Sequence, residues 1–528
     1  MPDSRPNIVC IMPDDTDFVW LSCYGGRTPT PAIDRLAAEG ARFDQMYCSA
    51  SACTPSRYTY LTGQYAGHCT DPHFLAQNPP DEPYNLAWNV VLNGDMPSLG
   101  RALQATGYRT GIAGKWDVWR PVRELDLPFL APDANLDDPA VDAQLRAYQA
   151  ALAAEVRATG GFDVAASIVI SNGEGFPVKA LREHHLEWIT QGALDFLDGC
   201  DGAQPFFLYV TPTAFHGPAH DKSYERDLRY TQGGKRDDLE GLHPPRAEMA
   251  ARLAARGLPF NHDTVGITWI DDQVAAILAK LEALGAAGNT LVIFKVDHNT
   301  EVGKGTCHQH GVHIPMALRW PGVVQPGTVC DARVQNVDFV PTILDIAGIT
   351  PPAEMRLDGA SWRPLLTGEE KTLHDDLFFE FGYARAVLAG KWKYIALRYP
   401  QRLLDAMANG ALAEAPNHIH QRLQGQMVIA VESYPAYFDP DQLFDVESDP
   451  DEQHNLADDP AYADVLAEMR ARLQSYLDTF DHPFDLTTPA FMRSDRYKAL
   501  CDETRKIGTG HLGWWPKARW WEDRETVG

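Results

Sequence analysis

The sequence predicts an α/β fold with a large, mostly parallel central sheet over residues 1–370 and a smaller C-terminal α+β domain with an antiparallel sheet over 371–528. Three observations carry this. Short apolar runs alternate with helical segments through most of the first part, polar residues cluster where those runs end, and the spacing changes after "GASWRPLLTG" at 359–368. The first run, "NIVCIM" at 7–12, is continuously apolar, as a strand buried on both faces must be, and it ends in Pro13-Asp14-Asp15. "PAIDRLAAEG" follows as a helix closed by Gly40, and a second helix near 97–106 ends at Gly107. "YRTGIAG" reads as a strand leading to Lys115, and "PFFLYVTP" as another at 205–212. The long helix "ITWIDDQVAAILAKLEALG" precedes the strand "TLVIFKVDH" at 290–298, and "PMALRW" is the next strand. Residues 120–185 break the rhythm with a Pro- and Asp-rich loop and an Ala-rich helix, and are read as an insertion over or beside the site. "KWKYIAL" and "DQLFDVESDPDEQHNL" supply strands of the second sheet, with a helix packed on it.

A chain of 528 residues, 45% of them hydrophobic, can bury a large core in two or more domains. Its formal charge of −26 makes nucleic acid and anionic membranes poor general partners, so an anionic ligand needs a local positive pocket. The stretch "MPDSRPNIVCIMPDD" has acids where a secretion signal needs a basic region and an apolar core, and no apolar run approaches membrane-spanning length. A cytoplasmic location is the expectation. Nine scattered cysteines form no disulfide framework and are expected to be mostly reduced. The tail "HLGWWPKARWWEDR" is too apolar to be free, which predicts packing on the body or homo-oligomerisation.

The segment "ACTPSRYTYLTG" at 52–63 places a cysteine at the start of a predicted helix, with Thr54 as cap and Pro55 at the first helical position. Unpaired N–H groups, the helix dipole and Arg57 would favour an anion there, though a small buried cysteine at a tight turn is the plainer alternative. Four clusters fall at strand ends: Asp14 and Asp15; Lys115; His216 in "TPTAFHGPAH"; and Asp297-His298. Each alone is unremarkable, but an α/β sheet binds its ligands at the carboxyl ends of its strands. Three carboxylates and one imidazole suit a divalent ion that prefers oxygen, with Ca²⁺ favoured over Mn²⁺ and Mg²⁺, although His298 leans toward Mn²⁺.

"CTPSRYTYLTG" closely resembles the sulfatase signature, in which the cysteine of Cys-x-Pro-Ser-Arg is converted to formylglycine, and "GYRTGIAGKW" resembles the second signature of that family. "DHNTEVGKGTCHQHGVHIPMALRWPG", "DFVPTILDIAGI", "DGASWRPLLTG" and "LFDVESDPDEQHNLA" resemble its later landmarks, in order, over roughly residues 5–460. The resemblance implies an alkaline-phosphatase-like fold and hydrolysis of sulfate esters, arylsulfatase chemistry included. It makes Cys53 the formylglycine position, Arg57 its positive support, and Asp14, Asp15, Asp297 and His298 the ligands of one divalent metal. Lys115, His216 and Lys304 would line the anion pocket. It also implies a small anionic ester substrate and a formylglycine-generating enzyme as a maturation partner. Two departures stand out. Asp117 occupies the place of a usual histidine, and Gln309 and His313 replace a common glutamate and arginine, as support positions.

The implied chemistry answers why a cysteine is needed at 53. A thiolate that attacked sulfur would be trapped, whereas an aldehyde hydrate carries two hydroxyls on one carbon. One attacks, with the metal's help, and the other expels sulfate as the aldehyde re-forms. Lys115, Lys304 and Arg57 stabilise the oxygens, and His216 or Lys304 is the acid for the leaving group.

Three other readings are compatible with parts of the sequence. A phosphonate monoester or phosphodiester hydrolase would use the same site, because both substrates carry the single negative charge of a sulfate ester. A thiolate phosphatase needs a longer loop than the three residues between Cys53 and Arg57. A non-catalytic zinc protein could use Cys307, His308, His310 and His313, but their spacing fits no standard zinc pattern.

Overall fold

Asn7–Ile11 forms β1, an interior strand with a parallel neighbour along each edge, and it is buried at its last four positions. The computed structural model describes residues 5–299, 303–409 and 428–508. The remaining strands of the first part are β2 (Ala41–Tyr47), β3 (Arg109–Lys115), β4 (Val164–Val169), β5 (Phe206–Thr211), the short hairpin β6 (Tyr230–Thr231) and β7 (Gly234–Lys235), β8 (Thr290–Lys295), β9 (His313–Arg319), β10 (Thr328–Cys330) and β11 (Val334–Gln335). The central sheet runs β10-β2-β9-β8-β1-β5-β3-β4, with β11 added beside β2. Every pairing is parallel except the two made by β9, so β9 runs against all its companions. The carboxyl ends of β8, β1, β5 and β3, neighbours in that order, therefore lie along one edge.

The segment 120–185 differs from its reading as an insertion. It holds the helix Pro139–Gly160 and then β4, which pairs with β3 in parallel register, Gly111 opposite Val164. This is an ordinary strand–helix–strand crossover, obscured in the sequence because β4 is an edge strand buried only at Ile168 and Val169.

The second sheet orders β12 (Asp376–Phe381), β13 (Ala384–Ala389), β14 (Trp392–Leu397) and β15 (Asp441–Asp445), all antiparallel. Its strands alternate with period two. Phe379, Phe381, Ala386, Leu388, Ile395 and Phe444 join the core of the first domain, while Phe378, Val387, Tyr394 and Leu443 pack on the helix Ala463–Leu477 through Met469 and Leu473. All nine cysteines are unpaired thiols, and no helix among the described residues is long and apolar enough to cross a membrane. The tryptophan-rich stretch after residue 510 lies outside the described residues.

One core residue breaks the apolar pattern. Lys295, at the end of β8, is fully buried, with Nζ 3.2 Å from Met12 Sδ and 2.9 Å from the centre of the Tyr60 ring. Burial pushes its ammonium down to about 7. Ring faces recover only part of the cost of removing a cation from water. Lys295→Met should therefore raise unfolding stability by about 1 kcal/mol or more in urea denaturation, and a loss of stability would show that the rings compensate the charge fully.

Candidate active site

The edge formed by β8, β1, β5 and β3 brings the strand-end clusters together. Asp14 and Asp15 follow β1, Asp297 and His298 follow β8, and Lys115 closes β3. Gly114 has φ +112°, and a Cβ there would lie 2.2 Å from the Thr211 carbonyl oxygen. Only glycine allows the local irregularity between Ala113 and Lys115 that carries the lysine into the site.

Cys53 comes from the helix Cys53–Thr62, entered from β2 through residues 48–52. The helix begins at Cys53, two residues earlier than the Pro55 start expected, with extended Ala52 as its cap. Thr54 does not cap: its hydroxyl donates to Asp117 Oδ2 at 3.1 Å. Cys53 thus stands in the first turn, among N–H groups with no intrahelical partner. Its Sγ lies 3.4 Å from Asp14 Oδ1 and 3.2 Å from His298 Nε2.

Donor atoms of Asp14, Cys53, Asp297 and His298, all buried, fall within 4.8 Å of one another. Burial alone would raise both carboxyls. Lys115, in direct contact with Asp14, and Arg57 outweigh it and hold Asp14 well below the usual carboxylate range. Asp297 is raised, by burial and then by the charge of Asp14, although Arg57 donates to its Oδ2 from Nε (3.1 Å) and Nη2 (2.9 Å). Two buried acids facing one another beside an imidazole make a candidate cation site, and that donor set suits a hard or borderline divalent ion. His298 Nδ1 lies 2.8 Å from the Asn299 carbonyl and 3.0 Å from Asp15 Oδ1, so its N–H is engaged there and Nε2 is left facing Cys53. Asp15, expected as a fourth ligand, stands outside this donor group and accepts from Lys304 Nζ at 2.8 and 3.0 Å.

His216 joins the group through its neighbours. Its Nε2 is 3.8 Å from Asp15 Oδ2 and 3.1 Å from Asn172 Nδ2. Asn172 is the residue the sequence did not single out. Its Oδ1 accepts from Lys115 Nζ at 2.9 Å, which orients the amide so that Nδ2 donates to His216 Nε2, while His216 Nδ1 donates to the Gly217 carbonyl at 3.1 Å. Burial, reinforced by Lys304, pushes His216 down to about 4, consistent with that neutral tautomer. No motif flagged Asn172, because it follows β4, which lay inside the supposed insertion.

The sequence of this chain matches the family model described as Sulfatase over residues 6–349. The chain belongs to the sulfatase family. It is 27% identical to a steryl-sulfatase of Rattus norvegicus, covering 91% of this chain and 90% of that protein. It is 28% identical to arylsulfatase A of Bos taurus, covering 86% and 84%. Among solved structures, the PsFucS1 sulfatase from Pseudoalteromonas sp. shares the fold at a TM-score of 0.57 and 18% identity, over 91% of this chain and 92% of that one.

In this sulfatase-family chain residues of and beside the second sheet brace the segment that follows Lys304. Gly305 N–H donates to the Ser51 carbonyl at 2.7 Å and Thr306 N–H to Ser51 Oγ at 2.9 Å, tying the Lys304 loop to the approach to Cys53. Gly303 and Gly311 close the loop on itself, since a Cβ on Gly303 would sit 2.1 Å from Gly311 N. Gln309 N–H then donates to Glu452 Oε2 at 2.7 Å, and the other oxygen of Glu452 meets Lys393 of β14 at 3.3 Å, both side chains fully buried. His310 Nε2 is 2.8 Å from Asp451 Oδ1, and His313 Nε2 is 2.8 Å from the Asp44 carbonyl. These partners disperse the Cys307, His308, His310 and His313 run, which forms no metal-holding group among the described residues.

Proposed function

We propose that the chain hydrolyses sulfate monoesters, with Cys53 in its formylglycine form as the nucleophile and one divalent ion held by Asp14, Asp297 and His298, with Asp15 at the margin. The observation that carries this reading is the approach of Cys53 Sγ to Asp14 and His298 within a ring of Arg57, Lys115, Lys304 and His216. The unmodified thiol is a poor nucleophile there, because burial and then Asp14 push it well above its ordinary range. Oxidised to the aldehyde, position 53 would supply a hydrated carbon with one hydroxyl to attack and a second to release sulfate. A divalent ion would neutralise the facing carboxylates and polarise the sulfate oxygens.

The chain's own side chains supply the remaining steps. Lys115 and Lys304 carry positive charge on either side of the carboxylates, where a sulfate oxygen gaining charge would be stabilised. Arg57 holds Asp297 in place. The hydrogen-bond chain from Lys115 through Asn172 makes His216 Nε2 an acceptor, which leaves Lys304 as the proton-bearing group for the departing oxygen. Phosphonate monoesters and phosphodiesters present the same single charge and are expected as slower substrates.

Two measurements test this. Peptide mass spectrometry should find residue 53 about 18 Da lighter than cysteine in protein matured with its oxidising enzyme. A panel of one aryl alcohol as sulfate, phosphonate and phosphodiester should show the highest kcat/KM for the sulfate, and a higher value for either phosphorus ester would make this a phosphonate or diester hydrolase.

A further inference from the structure

The turn Gly173–Gly175, just after Asn172, carries Glu174 over the loop of His216. A Cβ placed on Gly217 would lie 2.6 Å from Glu174 Oε1, so this carboxylate rests against the backbone of the residue next to His216. It lies two residues after Asn172, whose amide joins Lys115 Nζ (2.9 Å) to His216 Nε2 (3.1 Å), which places it beside the anion pocket. The side chain nonetheless has no ion-pair partner among the described residues, and the residue is exposed, as a group at a mouth would be.

The charges around the pocket are closely balanced. Asp14, Asp15, Asp117, Asp297 and Glu174 contribute five carboxylates, and Arg57, Lys115 and Lys304 contribute three fixed cations. A divalent ion brings the set to neutrality, so one sulfate leaves it with a single negative charge. Lys115 faces Asp14 and Asp117, and Lys304 faces Asp15. No cation of this set is spare for a second anionic group, and Glu174 would repel one at the mouth.

Building on the sulfate-ester reading above, we infer that Glu174 selects the charge of the leaving alcohol: esters whose alcohol part carries a cationic group are preferred, neutral ones follow, and those with a second anionic group are rejected. Glu174 is thus a specificity-determining residue. Attraction of one charge and repulsion of the other across an intermediate dielectric should discriminate between the two extremes by about tenfold or more.

The test uses three aryl sulfates that differ at one ring position, trimethylammonium, methyl or carboxylate. Binding is measured by calorimetry to full-length Cys53→Ala protein, where turnover and leaving-group electronics do not intervene. The cationic ester should have a Kd about tenfold below that of the anionic one. Adding Glu174→Gln should shrink this ratio to about threefold or less, whereas Glu174→Asp, which keeps the charge, should preserve most of it. Thermal melts establish that each variant is folded. A ratio unchanged by Glu174→Gln overturns the proposal. If the parent protein hydrolyses none of the three esters, the sulfate-ester reading fails instead, and the binding ratio still decides what Glu174 does.

Discussion

Cys53→Ala should lower sulfate-ester kcat/KM by about three orders of magnitude or more while changing unfolding stability by only about 1 kcal/mol. The two halves follow from one geometry. The side chain is 2% exposed and its sulfur contacts an acid and an imidazole rather than a packed apolar wall, so truncation removes little van der Waals contact. The same truncation deletes the atom on which Asp14, Asp297 and His298 converge. Cys53→Ser separates nucleophile from volume, because it restores an oxygen near the sulfur's place without the second hydroxyl that, on the proposed mechanism, would release sulfate. It should be as inactive in steady turnover as the alanine variant, and full activity of either would place the nucleophile elsewhere.

Arg57→Ala is expected to cost about 3–5 kcal/mol of unfolding stability, the largest loss of any single site residue. The guanidinium is 1% exposed, makes two hydrogen bonds to Asp297 Oδ2 and lies 3.6 Å from Asp14 Oδ2. Burial opposes its charge, and Asp297 and then Asp14 more than restore it. Removing it leaves facing acids without their shared cation. Added Ca²⁺ or Mn²⁺ should then recover more stability in the variant than in the parent, because the ion takes over a role the arginine filled. Denaturant titrations with chelator and with each ion measure both effects. An Arg57→Ala protein as stable as the parent, or one indifferent to divalent ions, would contradict the cation site.

The sequence disclosed what lies on the strands and much less of what lies between them. Asp14, Lys115, His216 and Asp297 could be placed together because a parallel sheet puts strand carboxyl ends on one edge, whatever the loops do. The helix at Cys53 was also visible, but not its first residue, since Pro55 tolerates any of the first helical positions where N–H groups are unpaired. Asn172 and Glu174 were hidden because β4, half-buried at an edge, carries no continuous apolar signature. The displacement of Asp15 toward Lys304 could not be read either: it rests on a left-handed backbone at Asp15, φ 52°, a feature with no mark in composition or spacing. The same holds for the brace through Glu452, whose partners Lys393 and Gln309 come from separate segments.

The burial of Cys53 has a bearing on timing. Asp297, His298 and Lys304 are translated 244, 245 and 251 residues after it, and the Glu452 brace later still. Until the ribosome has made them, the thiol has no wall on that side; afterwards almost none of it meets water. On the formylglycine reading proposed above, an oxidising enzyme would have to meet this thiol before those segments close over it, on a chain whose catalytic centre does not yet exist.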